Sequence, residues 1–170
     1  CRKGVEIRPS LFGGGQEGGV RSGTENVPAI VGFARAAELI ADPKVSIQTI
    51  PMRHMRDRIL KEVPCRIPGA HVTGSMSHRL PNSASFWFEG VNGKTLAIAL
   101  DLRGFCVSAG SACSERSSNP SHVLLALGLK PEEALGSLRV SLGRQTRKLE
   151  IEKFLSELQR TVEQLRKKRV

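Results

Sequence analysis

The hydrophobic pattern of this chain changes its period several times along the sequence, and this feature limits the fold more than any other. Alternating short segments are typical of strands, and apolar residues at every third or fourth position are typical of helices. Their interleaving predicts an α/β or α+β layered fold. The predicted strands are 5–7, 71–73, 83–88, 105–107 and 137–142. Five helices are predicted: one after Asn26, one from Ser46 to Pro64, one at 95–102, one at 120–127 and one that begins near Lys148.

A break in the first helical pattern predicts a domain boundary near residues 42–46. Asn26 is typical of a helix N-cap, and Pro28 fits the first turn that follows. The helix is expected to end at Asp42-Pro43, because the residue before a proline disfavours helical backbone. The chain after this break is expected to form a unit of its own.

Composition excludes several classes of protein. Hydrophobic residues form 39% of the 170 residues, which is enough for a packed core. No apolar run approaches the roughly 20 residues that cross a bilayer, and no secretory signal pattern is visible, so no membrane association is expected. The four cysteines, at positions 1, 65, 106 and 113, show no C-x-x-C spacing. Reduced thiols and a cytoplasmic location are therefore expected.

The formal charge of +10 raises the question of nucleic-acid binding. Six Phe, one Trp and no Tyr leave little for base stacking, and the basic residues are spread along the chain apart from the run at 166–169. Solvated helix faces and a basic tail account for most of the charge, and a docking surface for an acidic protein is the second interpretation. We therefore expect no nucleic-acid partner.

Two glycine motifs imitate nucleotide-binding sequences without their context. Gly13-x-Gly15-x-x-Gly18 matches the dinucleotide pattern, but the predicted helix begins only after Asn26 instead of inside the motif. The segment 90–95 imitates a P-loop, but only two residues separate its glycines where four are needed to wrap a phosphate. The histidines are scattered, without the spacing of metal ligands. None of these patterns predicts a nucleotide or metal site.

Cys113 lies in a long run of small and polar residues from Ser108 to Pro120. Structural cysteines are usually buried among apolar neighbours, as Cys106 is expected to be within Phe-Cys-Val, whereas Cys113 is expected to be exposed. Arg116 nearby would favour the thiolate. A thiolate that receives sulfur at one site and delivers it at another must travel, and a flexible loop suits that task. Composition alone leaves an ordinary loop thiol as the alternative.

Arg139 lies in the middle of a predicted strand, where alternation places it on the same face as Ser137 and Ser141. A buried arginine is costly unless it is paired. A substrate carboxylate is a natural bidentate partner for its guanidinium group. An internal ion pair with Asp or Glu explains the residue equally well.

Four segments in this order resemble the cysteine desulfurases of the NifS/IscS-like, class V aminotransferase family. They are GGGQE at 13–17 with RSGT at 21–24, SAGSAC at 108–113, PSHVL at 120–124 and LRVSLGR at 138–144. The resemblance implies the C-terminal portion of a fold-type I, pyridoxal-phosphate-dependent transferase of the α/β class. Residues 1–43 would end the large cofactor-binding domain, and residues 44–170 would form the small α+β domain with the active-site cysteine loop.

The resemblance also implies roles for three residues. Cys113 would receive sulfur from cofactor-bound L-cysteine, leaving L-alanine and a persulfide on Cys113. Arg139 would hold the substrate carboxylate, and Thr24 would contact the phosphate of pyridoxal 5'-phosphate across a homodimer interface. A hydroxyl beside a glycine-rich turn suits phosphate, although a helix-capping threonine is the simpler alternative. The acceptor of the sulfur would be an iron–sulfur scaffold protein, and Cys113 would be a candidate ligand of a nascent cluster shared with that scaffold.

One departure from the family pattern is large. The lysine that attaches the cofactor lies in a histidine-lysine segment of the family, and no lysine of this chain has that context. We therefore expect a fragment of a longer protein, and we expect the 170 residues alone to be inactive. Selenocysteine lyase or a related class V aminotransferase is the nearest enzymatic alternative. A non-catalytic module that relays sulfur or binds a partner is the other.

Overall fold

The computed structural model of the chain describes residues 2, 4–110 and 119–168, with the side chains of residues 45–48 left out. The chain divides into two compact units, Cys1–Val45 and Ser46–Val170. This division falls within the predicted boundary at 42–46. The assignment of residues 1–43 to the end of a cofactor domain and of 44–170 to a small domain remains a prediction.

In the described residues of the first unit, helix α1 (Val27–Ala41) follows a short 3-10 helix at Gln16–Gly19. The predicted cap is confirmed, since the Asn26 side-chain oxygen accepts a hydrogen bond from the Ala29 N–H at 3.2 Å. The strand predicted at 5–7 is wrong, because residues 5–7 are irregular. A strand needs a partner for its backbone hydrogen bonds, and the described part of this unit offers no strand to pair with.

Helix α2 (Pro43–Arg66) begins at the end of the first unit, continues into the second and runs through both of its internal prolines, Pro51 and Pro64. The predicted bounds were wrong at both ends, since the helix begins at Pro43 instead of Ser46 and continues to Arg66. Proline is tolerated in a first turn because its missing N–H would be unpaired there in any case. Pro43 therefore starts α2, and the predicted end of α1 at Asp42-Pro43 is confirmed, because α1 ends at Ala41 and Asp42 has extended backbone.

Three antiparallel strands form the sheet, in the order β1-β2-β3: β1 (Ala70–Val72), β2 (Ser83–Phe88) and β3 (Ser137–Ser141). Alternate residues of β2 are buried, and Phe86 pairs with Val72 on one side and Leu138 on the other. The predicted strands at 71–73, 83–88 and 137–142 are confirmed within one residue at each end. An antiparallel sheet with helices is the α+β architecture that the second unit was expected to have.

Helices α3 (Gly93–Asp101) and α6 (Lys148–Lys167) contribute to the core with α2 and the sheet. The largest fully buried side chains come from the three helices, the sheet and Ile67 after α2: Ile59, Leu60, Val63, Ile67, Phe86, Phe88, Leu96, Leu100, Leu138, Leu155, Leu158 and Val162. Asn92 caps α3 by accepting from the Lys94 and Thr95 N–H groups at 3.0 and 3.1 Å. The segment 90–95 is thus a strand-to-helix turn. No helix in the described residues is both long and apolar enough to span a membrane.

The strand predicted at 105–107 is wrong. The chain there forms only an isolated bridge, in which Ser108 and Arg139 exchange backbone hydrogen bonds of 3.1 and 2.7 Å. A single pair of bonds does not extend into a ladder. The helix predicted at 120–127 is shorter, α4 (His122–Ala126), and a further short helix, α5 (Pro131–Leu135), precedes β3.

We expect Gly93→Ala to destabilise the second unit by about 1–3 kcal/mol, the usual cost of overpacking. A Cβ at Gly93 would lie 2.1 Å from the backbone oxygen of Ser137, so α3 and β3 would have to separate. Gly143→Ala is the matched control, because the nearest atom to its Cβ, the Thr146 hydroxyl oxygen, lies at 3.9 Å. Denaturant titration of both variants checks this, and equal midpoints for Gly93→Ala and wild type would contradict the close contact.

Candidate active site

A cavity of about 500 Å³ opens beside β3 in the second unit. The connection from β1 to β2, strand β3 and helix α4 all contribute to its lining. Arg79 and Arg139 are its two arginines, and the described residues that line it include no Asp or Glu. His78, serine and threonine residues, glycines and apolar side chains that include those of α4 complete the wall. The cavity is therefore suited to a small anionic ligand with an apolar portion.

Arg139 is held by its backbone on both sides. It pairs with Ser85 of β2 and exchanges two hydrogen bonds with Ser108. Its strand neighbours Leu138 and Val140 are buried at 0% and 6% exposure, whereas Arg139 is exposed, so the burial that the sequence argument considered does not occur. Within the described part of the chain its guanidinium group has no hydrogen bond or ion pair. The internal ion pair that the sequence left open therefore has no partner among the described residues.

Arg79 is a second cation at the cavity, and sequence reasoning did not single it out. Its guanidinium group donates hydrogen bonds to the carbonyl oxygens of Ser75, Thr73 and Ser83 at 2.7, 2.9 and 3.4 Å. Burial lowers the pKa of Arg79, and the positive charge of Arg56 lowers that pKa further. The sequence showed only an arginine before Leu-Pro-Asn, which is no signal for a site. Its position depends on how the loop folds back on itself.

Cys113 and Arg116 lie outside the described residues. Gly110 and Ser121, which flank that part of the chain on either side, both line the Arg139 cavity. Cys106 was expected to be buried, and this expectation is wrong because its thiol is exposed, 3.7 Å from a carboxylate oxygen of Asp101. The strand that would have buried Cys106 does not form.

Thr24 lies in the first unit, between a glycine-rich turn and α1. The turn is closed by a hydrogen bond from the Ser22 hydroxyl to the Gly14 carbonyl oxygen at 2.8 Å, and Gly23 adopts a φ of +100° that favours glycine. Asn26 provides the side-chain cap of α1, so Thr24 does not have that role. The Thr24 side chain is exposed and makes no hydrogen bond to the residues that the structure describes.

Metal binding finds no support in the described residues, which contain no group of three or more His, Cys, Asp or Glu side chains arranged to hold an ion. Cys113, the candidate cluster ligand, lies outside them. The features that the structure does describe are a cationic cavity at Arg139 and a free hydroxyl at Thr24.

Comparison with known proteins places this geometry in a family. The model of the family described as aminotransferase class-V matches residues 5–154. The chain belongs to the aminotransferase class-V family. The match extends over both units and includes Thr24, Cys113 and Arg139.

Class-V relatives with close similarity are named as desulfurases or NifS-like proteins. The protein named cysteine desulfurase IscS 1 from Archaeoglobus fulgidus is 43% identical over 97% of this chain. A solved NifS-like protein covers 95% of the chain with a TM-score of 0.79 and 37% identity. The NifS-like protein from Rickettsia africae gives a TM-score of 0.79 over 94% at 33% identity. The chain spans 43%, 40% and 41% of these three proteins, respectively.

The class-V family implies pyridoxal 5'-phosphate, and the residues of this chain fit one end of that cofactor. The Thr24 hydroxyl beside the glycine turn, which has no partner among the described residues, is a suitable donor to a phosphate oxygen. No lysine of the chain has the histidine-lysine context in which the family attaches the cofactor. The donor set therefore fits the phosphate group and does not include the covalent attachment.

Proposed function

We propose that this chain forms the cysteine-bearing part of a cysteine desulfurase, which removes sulfur from L-cysteine and leaves L-alanine and a persulfide on Cys113. The observation that carries the proposal is the guanidinium group of Arg139, which has no partner among the described residues and lies at a cavity whose lining extends to Gly110, three residues before Cys113. The names of the similar proteins support the same reaction.

Arg139 would bind and orient the substrate through its carboxylate. A guanidinium group forms two parallel hydrogen bonds to a carboxylate, which fixes the direction of the rest of the molecule. The backbone of Arg139 is held by strands and bridge on both sides, so the group is presented from a rigid element. Apolar side chains of α4, such as Val123 and Leu124, line the same cavity and would help to exclude water from it.

Cys113 would accept the sulfur. Three residues of chain reach at most about 11 Å, so covalent linkage to Gly110 keeps Cys113 within range of the cavity. The thiolate of Cys113 would form a bond to the substrate sulfur while the carbon–sulfur bond of the substrate breaks. The electron pair of that bond would pass to the three-carbon product, which is protonated and released as alanine. Pyridoxal 5'-phosphate, when bound, supplies the electron sink that this bond cleavage requires.

The remaining parts of the proposal concern the assembled protein. A homodimer, a cytoplasmic location and an iron–sulfur scaffold protein as sulfur acceptor are supported by the resemblance and, for the acceptor, by relatives named IscS. Nascent-cluster ligation by Cys113 belongs to the same proposal. The assignment of residues 1–43 to the end of the cofactor domain and of 44–170 to the small domain is proposed on the same basis.

The proposed function is tested by incubating the full-length protein with pyridoxal 5'-phosphate and L-cysteine. The proposal requires alanine and reducible sulfur in equal amounts. Selenocysteine supplied in parallel separates a desulfurase from a selenocysteine lyase by the ratio of the two kcat/KM values. Absence of alanine from a cofactor-loaded protein would contradict the proposal.

Thr24→Ala is expected to weaken pyridoxal 5'-phosphate binding roughly tenfold to a hundredfold, because a hydrogen bond to a charged group contributes about 1.5–3 kcal/mol. Thr24→Ser keeps the hydroxyl group and is expected to bind the cofactor within about threefold of wild type, since only a methyl group is lost. Equilibrium titration of the cofactor by absorbance measures both variants. Equal affinity of the alanine and serine variants would show that the hydroxyl makes no such contact.

A further inference from the structure

The connection between β1 and β2 forms part of the wall of the Arg139 cavity, and arginine side chains hold its backbone. Arg79, which lies within the connection, donates to the carbonyl oxygens of Thr73 and Ser75 near its start and of Ser83 at the beginning of β2. All three of these residues line the cavity together with Arg139. One guanidinium group therefore closes the loop on itself.

Arg56 of α2 also binds the backbone of the connection between β1 and β2. Its side chain is 5% exposed and donates to the carbonyl oxygen of Leu80 at 2.8 Å, while Asp57 pairs with it at 2.7 Å. Two arginines thus bind three carbonyl groups of a connection of about ten residues that contains no helix or strand, and a fourth at Ser83, the first residue of β2. A loop of this kind would otherwise fluctuate, because few backbone hydrogen bonds of its own restrain it.

The placement of Arg79 is electrostatically costly and needs compensation. The group is partly buried and feels the positive charge of Arg56, which the negative charge of Asp57 partly offsets, and the three carbonyl oxygens that it binds are neutral. Because no acid lies in the described lining of the cavity, an anion that enters would interact with both Arg79 and Arg139. The same arginine thus shapes the wall and contributes positive charge to the space beside it.

We propose that Arg79 is a positioning residue for the substrate: its three carbonyl bonds preform part of the wall of the Arg139 cavity, so that the carboxylate of the substrate enters a fixed cationic pocket. The inference rests on the proposed function. Lysine cannot replace arginine here, because a single ammonium group does not present the planar fork that reaches three carbonyl oxygens at once. The role of Arg79 therefore depends on the planar geometry of its guanidinium group as well as on its charge.

The test compares Arg79→Lys and Arg79→Met with wild type in the full-length, cofactor-loaded protein. Both variants are expected to raise KM for L-cysteine about tenfold, the effect of losing roughly 1.4 kcal/mol of binding, while kcat stays within about threefold. Arg160→Met is the control, since Arg160 lies on α6, its side chain is 61% exposed, and it is not part of this cavity. The control is expected to leave both constants unchanged.

Two results would overturn the inference. A KM of Arg79→Lys equal to that of wild type would show that positive charge alone suffices. A lower kcat and a lower thermal midpoint beside the raised KM would show a merely structural role. Hydrogen exchange of the amides in residues 73–83 supplies a readout that needs no turnover. Faster exchange there in Arg79→Met, with the rest of the sheet unchanged, is expected. If wild type fails to use cysteine, the proposed function fails, while the exchange result still decides whether Arg79 holds the loop.

Discussion

Replacing Cys113 by serine is expected to lower cysteine-dependent sulfur transfer by at least about a thousandfold, the usual scale for loss of a nucleophile. A serine hydroxyl group stays protonated at neutral pH and forms no persulfide, so sulfur has no first acceptor. Sulfur delivered to an added thiol or scaffold protein, measured alongside alanine, checks this expectation in the full-length protein.

Cys106→Ser is the matched control for this substitution. Both residues are cysteines of the second unit, but Cys106 is an exposed thiol seven positions before Cys113 and is not part of the cavity lining. We expect Cys106→Ser to retain wild-type sulfur transfer. Equal loss in the two variants, or full activity in Cys113→Ser, would contradict the assigned nucleophile.

Replacing Arg139 by glutamine is expected to reduce kcat/KM for L-cysteine by roughly 30-fold to several thousandfold, because truncation of one partner in a hydrogen-bonded charge pair costs about 2–5 kcal/mol. Most of the loss is expected in KM, since the carboxylate is bound both before and during the reaction. Arg139→Lys keeps the charge but loses the bidentate geometry, so an intermediate loss is expected. Steady-state kinetics of the three proteins measure these effects.

A substrate without a carboxylate provides the control for Arg139. Cysteamine has the amine and thiol of cysteine but no carboxylate, so wild type is expected to prefer cysteine strongly and Arg139→Gln to lose most of that preference. The guanidinium group of Arg139 has no partner in the described residues, so the substitution should change the free energy of unfolding by no more than about 0.5 kcal/mol. An unchanged preference for cysteine would assign the carboxylate to another residue.

The parts of the fold that the sequence predicted are those where local pattern and burial agree. The alternating segment Ser83–Phe88 forms a half-buried strand, and the apolar face of Lys148–Lys167 packs into the core. The predictions were wrong for segments that can form a strand only beside another strand distant in the sequence. Residues 5–7 have no described strand beside them, and residues 105–107 are irregular, with a single bridge to β3 at the following residue, Ser108. The period of a short segment does not reveal whether a neighbouring strand exists.

The sequence likewise predicted some residues of the candidate site and missed others. Arg139 was found from its position in a strand, because alternation fixes which residues face outward. Arg79 was missed, since its three bonds arise only when Thr73, Ser75 and Ser83 are brought together by the turn of the loop. Cys106 was expected to be buried but is exposed, because the strand that would have buried it does not form. The choice of Thr24 depended on resemblance, and the structure adds that Asn26, not Thr24, caps α1.

Mass spectrometry of peptides from the full-length protein, quenched soon after L-cysteine is added, tests the central claim most directly. The claim predicts one extra sulfur atom on the peptide that contains Cys113, removable by a reductant and absent from the peptides of Cys65 and Cys106. The extra sulfur must appear no later than alanine. An unmodified Cys113 peptide while alanine accumulates, or sulfur carried on another cysteine, would contradict the claim.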